Sequence, residues 1–324
     1  MNLKKTAICI LSYNTESYIS KVLEELVDLE RPLLIIDDYS TDSSYSIVNS
    51  FIKTNPSHEI LLFKNQKNQG AGYSCRKLIK EANNLGYKYI VKVDGDDQFN
   101  VSDIKKIIIE LETEKYDFIK SNRFWDGGIT GDIPKIRYFG NIIATQFLHY
   151  ATGLSKIYDP LNGLFAVRTD IHKSLNVKNY PKRYGYPFFI TCEAILKEYR
   201  SLQINNQISY ESQQSSIRPY RLLFNLIRQT FFFNRKKFKL KKNNFRLHKS
   251  LFYELVFRIL VFCDILLMAR FIFGYFTEIP IFQTNIAGWG ILLVIFISLT
   301  VYIYSLSFNL ENNYRKEMML IDEG

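Results

Sequence analysis

Val93-Asp94-Gly95-Asp96-Asp97-Gln98 follows directly on the apolar run Tyr89-Ile90-Val91. Carboxylates two residues apart at a strand end can both turn toward one hard cation, and the amide oxygen of Gln98 can join them. A bound diphosphate then supplies the remaining oxygens. The competing reading is an acidic turn that opens a helix near Val101, with Asp97 or Asn100 as its cap. The company the motif keeps separates the two.

From Thr6 to about Tyr210, short apolar runs alternate with segments of helical spacing, which predicts an α/β domain on a mainly parallel sheet. Strands are expected over Ala7 to Leu11, Leu33 to Ile36, Ile60 to Phe63, Tyr89 to Val93 and Phe118 to Lys120. Helices are expected over Ser20 to Leu29, Ser43 to Lys53, Tyr73 to Asn83 and Val101 to Glu112. Ligands of such sheets bind at the carboxyl ends of the strands. Those ends carry Ser12-Tyr13-Asn14, Asp37-Asp38 and Asp94-Gly95-Asp96, three polar clusters that define one crevice.

The 324 residues are 47% apolar, ample for a buried core, so disorder is not the default. The net charge of +10 is concentrated in Arg235, Lys236, Lys237, Lys239, Lys241, Lys242, Arg246 and Lys249, with no acid between them. A basic cluster ahead of a long apolar stretch fits anionic lipid headgroups of a cytoplasmic leaflet better than DNA or RNA, so no nucleic-acid partner is expected. A solvated basic linker is the plainer alternative. Four cysteines without CxxC spacing argue against a disulfide frame or zinc site and fit a reducing compartment. The first apolar run, Thr6 to Leu11, is short and lacks a cleavage site, so it reads as a strand rather than a signal peptide.

Beyond Arg218, Leu222-Leu223-Phe224, Leu226-Ile227 and Phe231-Phe232-Phe233 mix with Arg221 and Arg228. That mixture suits an interfacial helix or a helix packed on the preceding domain. The expected organisation is a catalytic domain over 1–218, a basic juxtamembrane segment over 219–250, two transmembrane helices at about 251–276 and 286–306, and a tail over 311–324. Glu254, Arg258, Asp264 and Arg270 interrupt the first span; Glu254 and Arg258 are spaced to pair, and Arg270 to snorkel. A re-entrant or interfacial first span is the fallback. The connection Thr277 to Asn285 has no lysine or arginine, whereas both flanks do, which predicts an integral protein of the inner membrane or its equivalent with catalytic domain and C-terminus cytoplasmic. Self-association through the helices is a further expectation, because Asp264 is better tolerated against a partner helix than against lipid.

Taken together, Leu11-Ser12-Tyr13-Asn14-Thr15-Glu16, Ile35-Ile36-Asp37-Asp38-Tyr39-Ser40-Thr41-Asp42, Asn68-Gln69-Gly70-Ala71-Gly72 and Asp94-Gly95-Asp96-Asp97-Gln98 resemble, in order and spacing, the family 2 glycosyltransferases with the GT-A fold. The DxDxQ form is similar to the dolichyl-phosphate mannose and polyprenyl-phosphate glucose synthase branch. The resemblance covers roughly residues 5 to 218, and the two apolar spans are similar to those of membrane-anchored bacterial members.

The resemblance implies a nucleotide-sugar donor held by Tyr13, Ile36, Asp38, Asp94 and Gly95, and Mg²⁺ or Mn²⁺ held by Asp94, Asp96 and Gln98. It puts Arg123 and Arg137, either side of the Gly-rich stretch Asp126 to Gly131, on the phosphate of a polyprenyl lipid. Asp159, in Asp159-Pro160-Leu161-Asn162-Gly163-Leu164-Phe165, joins Asp96 as a catalytic candidate, as base or sugar-hydroxyl ligand. The chemistry is coherent: a carboxylate accepts from a base N–H, a metal neutralises a departing diphosphate, and guanidinium forks match phosphate oxygens. A lipid phosphate is already anionic and needs positioning, whereas a hydroxyl acceptor needs a base. Plainer readings stand beside these: Asp37-Asp38 as a helix cap region, Gly70 and Gly72 as a turn, the arginines as surface ion pairs, and Asp159 as a turn residue before Pro160.

The chain departs from the branch in two places. Leu11 and Thr15 replace a Pro and a Glu around Tyr13, with Glu16 one place late, and Tyr210 to Ser216 lacks the two cations of an Arg-x-x-Gly-x-Ser-Lys segment. The Gln-x-x-Arg-Trp signature of processive synthases is absent. The leading expectation is inverting, metal-dependent transfer of a hexose from a UDP- or GDP-sugar to undecaprenyl or dolichyl phosphate. The alternatives are transfer to a hydroxyl of a lipid-linked glycan, and a catalytically silent membrane binding protein.

Overall fold

The computed structural model describes residues 5–124, 129–130, 135–175, 178–206, 208–209, 219–276 and 286–319. Most of the Gly-rich stretch 126–131, the segment 210–216 and the connection 277–285 lie outside them. The chain forms two compact units, Met1–Asn234 with Met318–Gly324, and Arg235–Glu317.

The first unit is built on β1 (Thr6–Ser12), β2 (Leu33–Asp37), β3 (Ile60–Lys64), β4 (Tyr89–Asp94), β5 (Phe118–Asn122), β7 (Phe165–Arg168) and β8 (Ser201–Asn205), in the order β3-β2-β1-β4-β7-β5-β8. A two-stranded sheet pairs β6 (Ile129–Thr130) with β9 (Ile208–Ser209). β1 is buried along its whole length, as a central strand covered on both faces must be. Its residues alternate: Ala7, Cys9 and Leu11 enter one core cluster, Ile8 and Ile10 the other. The first cluster gathers Cys75 and Leu78 of α3 (Ala71–Asn84), Ala144 and Leu148 of α5 (Lys135–Thr152) and the fully buried α7 (Tyr186–Leu196). The second gathers α1 (Ile19–Val27), α2 (Ser44–Thr54) and α4 (Val101–Glu112). A four-residue helix, α6 (His172–Leu175), follows β7.

The five expected strands and four expected helices are all present. β7 and β8 lie outside the expected strands. β7 is four residues of Phe-Ala-Val-Arg, too short to show a period, and β8 reads Ser-Leu-Gln-Ile-Asn with only two apolar residues. β7 is antiparallel to both β4 and β5. Its N-terminal end therefore lies where β4 and β5 have their C-terminal ends, and this brings the turn 159–164 into the crevice beside Asp94.

α8 (Pro219–Asn243) begins in the first unit, where one of its faces packs on the preceding domain. Leu226 and Phe233 are buried in the core, whereas Tyr220, Leu223, Phe224, Ile227 and Phe231 are exposed.

In the second unit, α9 (His248–Phe276) and α10 (Ile286–Met319) hydrogen bond through Ser250 and Ser307 and through Thr300, whose hydroxyl donates to Asp264 at 2.7 Å. The polar partner expected for Asp264 from a second copy is thus supplied within the chain. Gly288–Met318, which contains an 18-residue window of mean hydropathy 2.3, is the one helix among the described residues long and apolar enough to cross a membrane; α9 does not meet that test. The basic run is also divided. Arg235, Lys239, Lys242, Arg246 and Lys249 are exposed, but Lys237 and Lys241 are buried. Lys241 contacts Glu254 at 2.7 Å and Glu311 at 2.6 Å, and Arg315 and Arg258 complete the cluster on Glu311 and Glu254. Burial at this cost requires paired charges, so these two lysines hold the unit together and are not available to headgroups.

Candidate active site

At the C-terminal ends of β1 and β2, side chains and backbone of the two following loops knit them together. Asn14, at φ +53°, donates from its backbone to Ser40 and accepts from Thr41 N–H at 2.9 Å. Glu16 accepts from Ser43 N–H at 2.9 Å, so the displaced glutamate anchors the start of α2. Tyr13 stands 47% exposed above the crevice. Asp37 turns inward to accept from Ser40 N–H, and Asp38 accepts from Asn65 Nδ2 at 2.7 Å, Gln69 N–H at 2.9 Å and Gly70 N–H at 2.7 Å. Asp38 thereby fixes the loop that enters α3. Ile36 is fully buried in the core, so its side chain does not face the crevice.

The same loop explains Gly70 and Gly72. Gly70 has φ +95°, and a Cβ on Gly72 would lie 2.1 Å from the Pro181 carbonyl oxygen. Tyr73 N–H donates to Lys182 O at 2.8 Å. The glycines admit the 181–183 backbone against α3.

At the end of β4, Asn100 caps α4, accepting from Ser102 N–H at 2.8 Å, while Asp97 pairs with Lys21 at 2.6 Å. Asp94 and Asp96 are thus not used as caps. Gly95 N–H donates to Leu11 O, extending the β1–β4 pairing by one step. Burial, with the Asp94 charge adding to it and Lys92 opposing, pushes the Asp96 carboxyl up to about 7. Two carboxylates and an amide oxygen at the end of one strand are the hard oxygen donors such cations take, so the residues fit Mg²⁺ or Mn²⁺. Among the described residues no group of three His, Cys, Asp or Glu side chains could hold a metal alone. The expected ligands Asp94, Asp96 and Gln98 include two carboxylates, one fewer than such a group needs.

Arg123 and Asp159, assigned separate roles by sequence, form one unit. Arg123 Nε and Nη2 each donate at 2.7 Å to the two oxygens of Asp159, and Arg123 N–H adds a third bond at 3.0 Å. Asp159 has no solvent exposure and φ +51°. The turn it opens is pinned from below. Lys120 Nζ donates to Asn162 O at 2.6 Å, Asn162 Nδ2 to Ser121 O and Asn206, and Ser121 Oγ to Leu164 O. Burial lowers the Lys120 ammonium to about 7. Arg137 lies half-buried in the first turn of α5, and Phe124 beside Arg123 packs on Tyr138 at 5.9 Å between centroids.

Residues 7–175 match the Glycosyl transferase family 2 model, which is more than half the chain. The chain belongs to glycosyl transferase family 2. This family 2 glycosyltransferase, with its mainly parallel mixed sheet, is 28% identical over 214 residues to an uncharacterized protein of Methanocaldococcus jannaschii, covering 62% of this chain and 90% of that one. It is 25% identical over 188 residues to the UDP-N-acetylglucosamine–dolichyl-phosphate N-acetylglucosaminyltransferase of Methanococcus voltae, covering 55% and 74%. It is 28% identical over 167 residues to an Escherichia coli UDP-Glc:alpha-D-GlcNAc-diphosphoundecaprenol beta-1,3-glucosyltransferase, covering 48% and 64%. Among solved structures, a Pyrobaculum calidifontis mannosyltransferase in complex with GDP-Man and Mn²⁺ aligns at TM-score 0.49 and 14% identity over 97% of this chain and 88% of that one.

Sequence reasoning missed Lys92 and Lys120 in this glycosyltransferase. Both are completely buried, opposite Phe165 from either side in the sheet register, at positions that a strand pattern assigns to the core. A lysine in an otherwise apolar strand next to a carboxylate two residues on is the signal that could have found Lys92.

Proposed function

We propose that the enzyme is a membrane-anchored, metal-dependent, inverting glycosyltransferase that moves a hexose from a UDP- or GDP-sugar to a polyprenyl phosphate at the cytoplasmic membrane face. The observation that carries this reading is the Arg123–Asp159 pair. Asp159 is buried and both its oxygens are engaged. It therefore acts as the anchor of a guanidinium, not as a base, and an acceptor that needs no base is an anionic phosphate oxygen. Arg123, held by Asp159, and Arg137, at the start of α5 beside Phe124 and Tyr138, offer guanidinium forks to such an acceptor. The M. voltae relative is named for transfer to dolichyl phosphate, which agrees. The E. coli relative is named for transfer to a diphospholipid-linked sugar and keeps the hydroxyl-acceptor reading as the second one.

On the donor side, Asp38 orders the loop under the base, and Tyr13 offers an exposed ring for stacking. A divalent cation bound at Asp94, Asp96 and Gln98 supplies Lewis-acid neutralisation of the leaving diphosphate. The exposed apolar side chains of α8, with Arg221 and Arg228 exposed beside them, suit an anionic interface, and α10 suits a membrane anchor. The test is a donor-by-acceptor screen in detergent with Mn²⁺ or Mg²⁺, read by mass. A sugar–phosphate–lipid adduct that disappears in Asp96→Asn supports the reading. Sugar appearing only on a lipid-linked glycan hydroxyl transfers support to the second.

A further inference from the structure

Lys92 is two residues before Asp94 on β4, so both side chains leave the same face of the strand. Its ammonium is completely buried, 2.5 Å from Asp94 Oδ2 and 5.4 Å from the centre of the Tyr186 ring. Asp94 is 31% exposed, so the pair is sealed at the ammonium and open at the carboxylate. Gly163 makes the approach feasible. A Cβ there would lie 2.5 Å from Asp94 Oδ2 and 3.0 Å from Lys92 Nζ.

We infer that Lys92 is a resident counter-cation of the donor site that makes metal loading depend on the nucleotide. An ammonium with no route to water needs the Asp94 carboxylate as its counter-ion. With Lys92 as counter-ion, the Asp94–Asp96 pair therefore presents at most a single net negative charge to a free divalent cation. That is a weak site by itself, and the diphosphate of the donor brings the missing negative charge. Metal and nucleotide consequently enter as one complex. Lys92 is a positioning residue: it fixes the Asp94 carboxylate and sets the charge of the site without touching donor or acceptor. The inference rests on the proposed donor site.

The experiment is titration of the full-length protein in detergent with Mn²⁺, alone and with UDP or GDP, reading free Mn²⁺ by electron paramagnetic resonance. Wild type is expected to bind Mn²⁺ at least about tenfold more tightly with nucleotide than without. Lys92→Met, with the like-charged neighbour removed, is expected to bind Mn²⁺ alone about tenfold more tightly than wild type and to lose most of the nucleotide effect. Lys92→Arg restores the wild-type pattern. A Lys92→Met protein whose metal-only affinity is unchanged or weaker overturns the inference and leaves the donor site standing. If folded wild type binds neither Mn²⁺ nor nucleotide, the donor-site reading falls and takes the inference with it. Should Lys92→Met fail to fold, wild type still decides, because equal Mn²⁺ affinity with and without nucleotide contradicts the inference.

Discussion

Arg123 and Asp159 share three hydrogen bonds, and residues that act as a unit lose function as a unit. Arg123→Met and Asp159→Asn should each lower kcat/KM for the lipid acceptor by about a hundredfold, and the double variant should be little worse than either. A double-mutant cycle on acceptor kinetics measures this, and additive losses would show that the two side chains work separately. Lys120 carries a pH signature. Burial holds its ammonium at about 7, below the ordinary lysine value of about 10.4, so the unfolded chain binds more protons between those values. Its contribution therefore makes stability rise with pH across that window. From pH 7 to about 10, the melting temperature of wild type should climb relative to that of Lys120→Met, and parallel profiles would contradict the shift. The chemistry of these residues was only partly legible. The carboxylates and arginines announce themselves by type and spacing. The Arg123–Asp159 pairing does not, because 36 residues and a strand reversal separate the partners. Lys92 and Lys120 were hidden by lying in strands otherwise made of core residues.

The elements show what local pattern can and cannot carry. β1 to β5 and α1 to α4 follow from period and punctuation, since the strands are apolar runs ended by polar turns and the helices carry apolar residues at helical spacing. The antiparallel insertion of β7 is a topological fact with no local signal in four residues, yet it is what brings Asp159 to the crevice. The α3 entry is a second case. The sequence reads the glycines there as a turn, and the neighbour that requires them proves to be the 181–183 backbone. Gly72→Ala should therefore destabilise the fold by about 1–3 kcal/mol through overpacking, measured by thermal unfolding, without a selective change in nucleotide affinity. In the second unit, burial divides adjacent lysines. Lys241→Met leaves Glu254 and Glu311 short of a buried partner and should cost about 3–5 kcal/mol. Lys242→Met, at an exposed position, should change stability by less than about 0.5 kcal/mol. Equal effects of the two would contradict the buried cluster.

At the scale of the whole molecule, an enzyme of this family is joined to a long apolar helix and to a basic run whose Arg235, Lys239, Lys242, Arg246 and Lys249 are exposed. These parts serve the proposed transfer of a water-soluble sugar donor onto a lipid whose reactive end is a phosphate. The proposed anchor keeps the site within reach of that lipid, so the protein should remain with membranes after alkaline carbonate washing, and release by the wash would contradict an integral anchor. The bond that forms in the proposed reaction joins sugar to phosphate, and phosphorus reports it directly. The decisive measurement is ³¹P NMR of the purified lipid product made with wild-type enzyme, divalent metal and the active donor. The polyprenyl phosphate monoester resonance should be replaced by that of a phosphodiester, labile to mild acid. A lipid phosphorus resonance left unchanged while sugar appears as a stable glycoside on a hydroxyl would contradict transfer to phosphate.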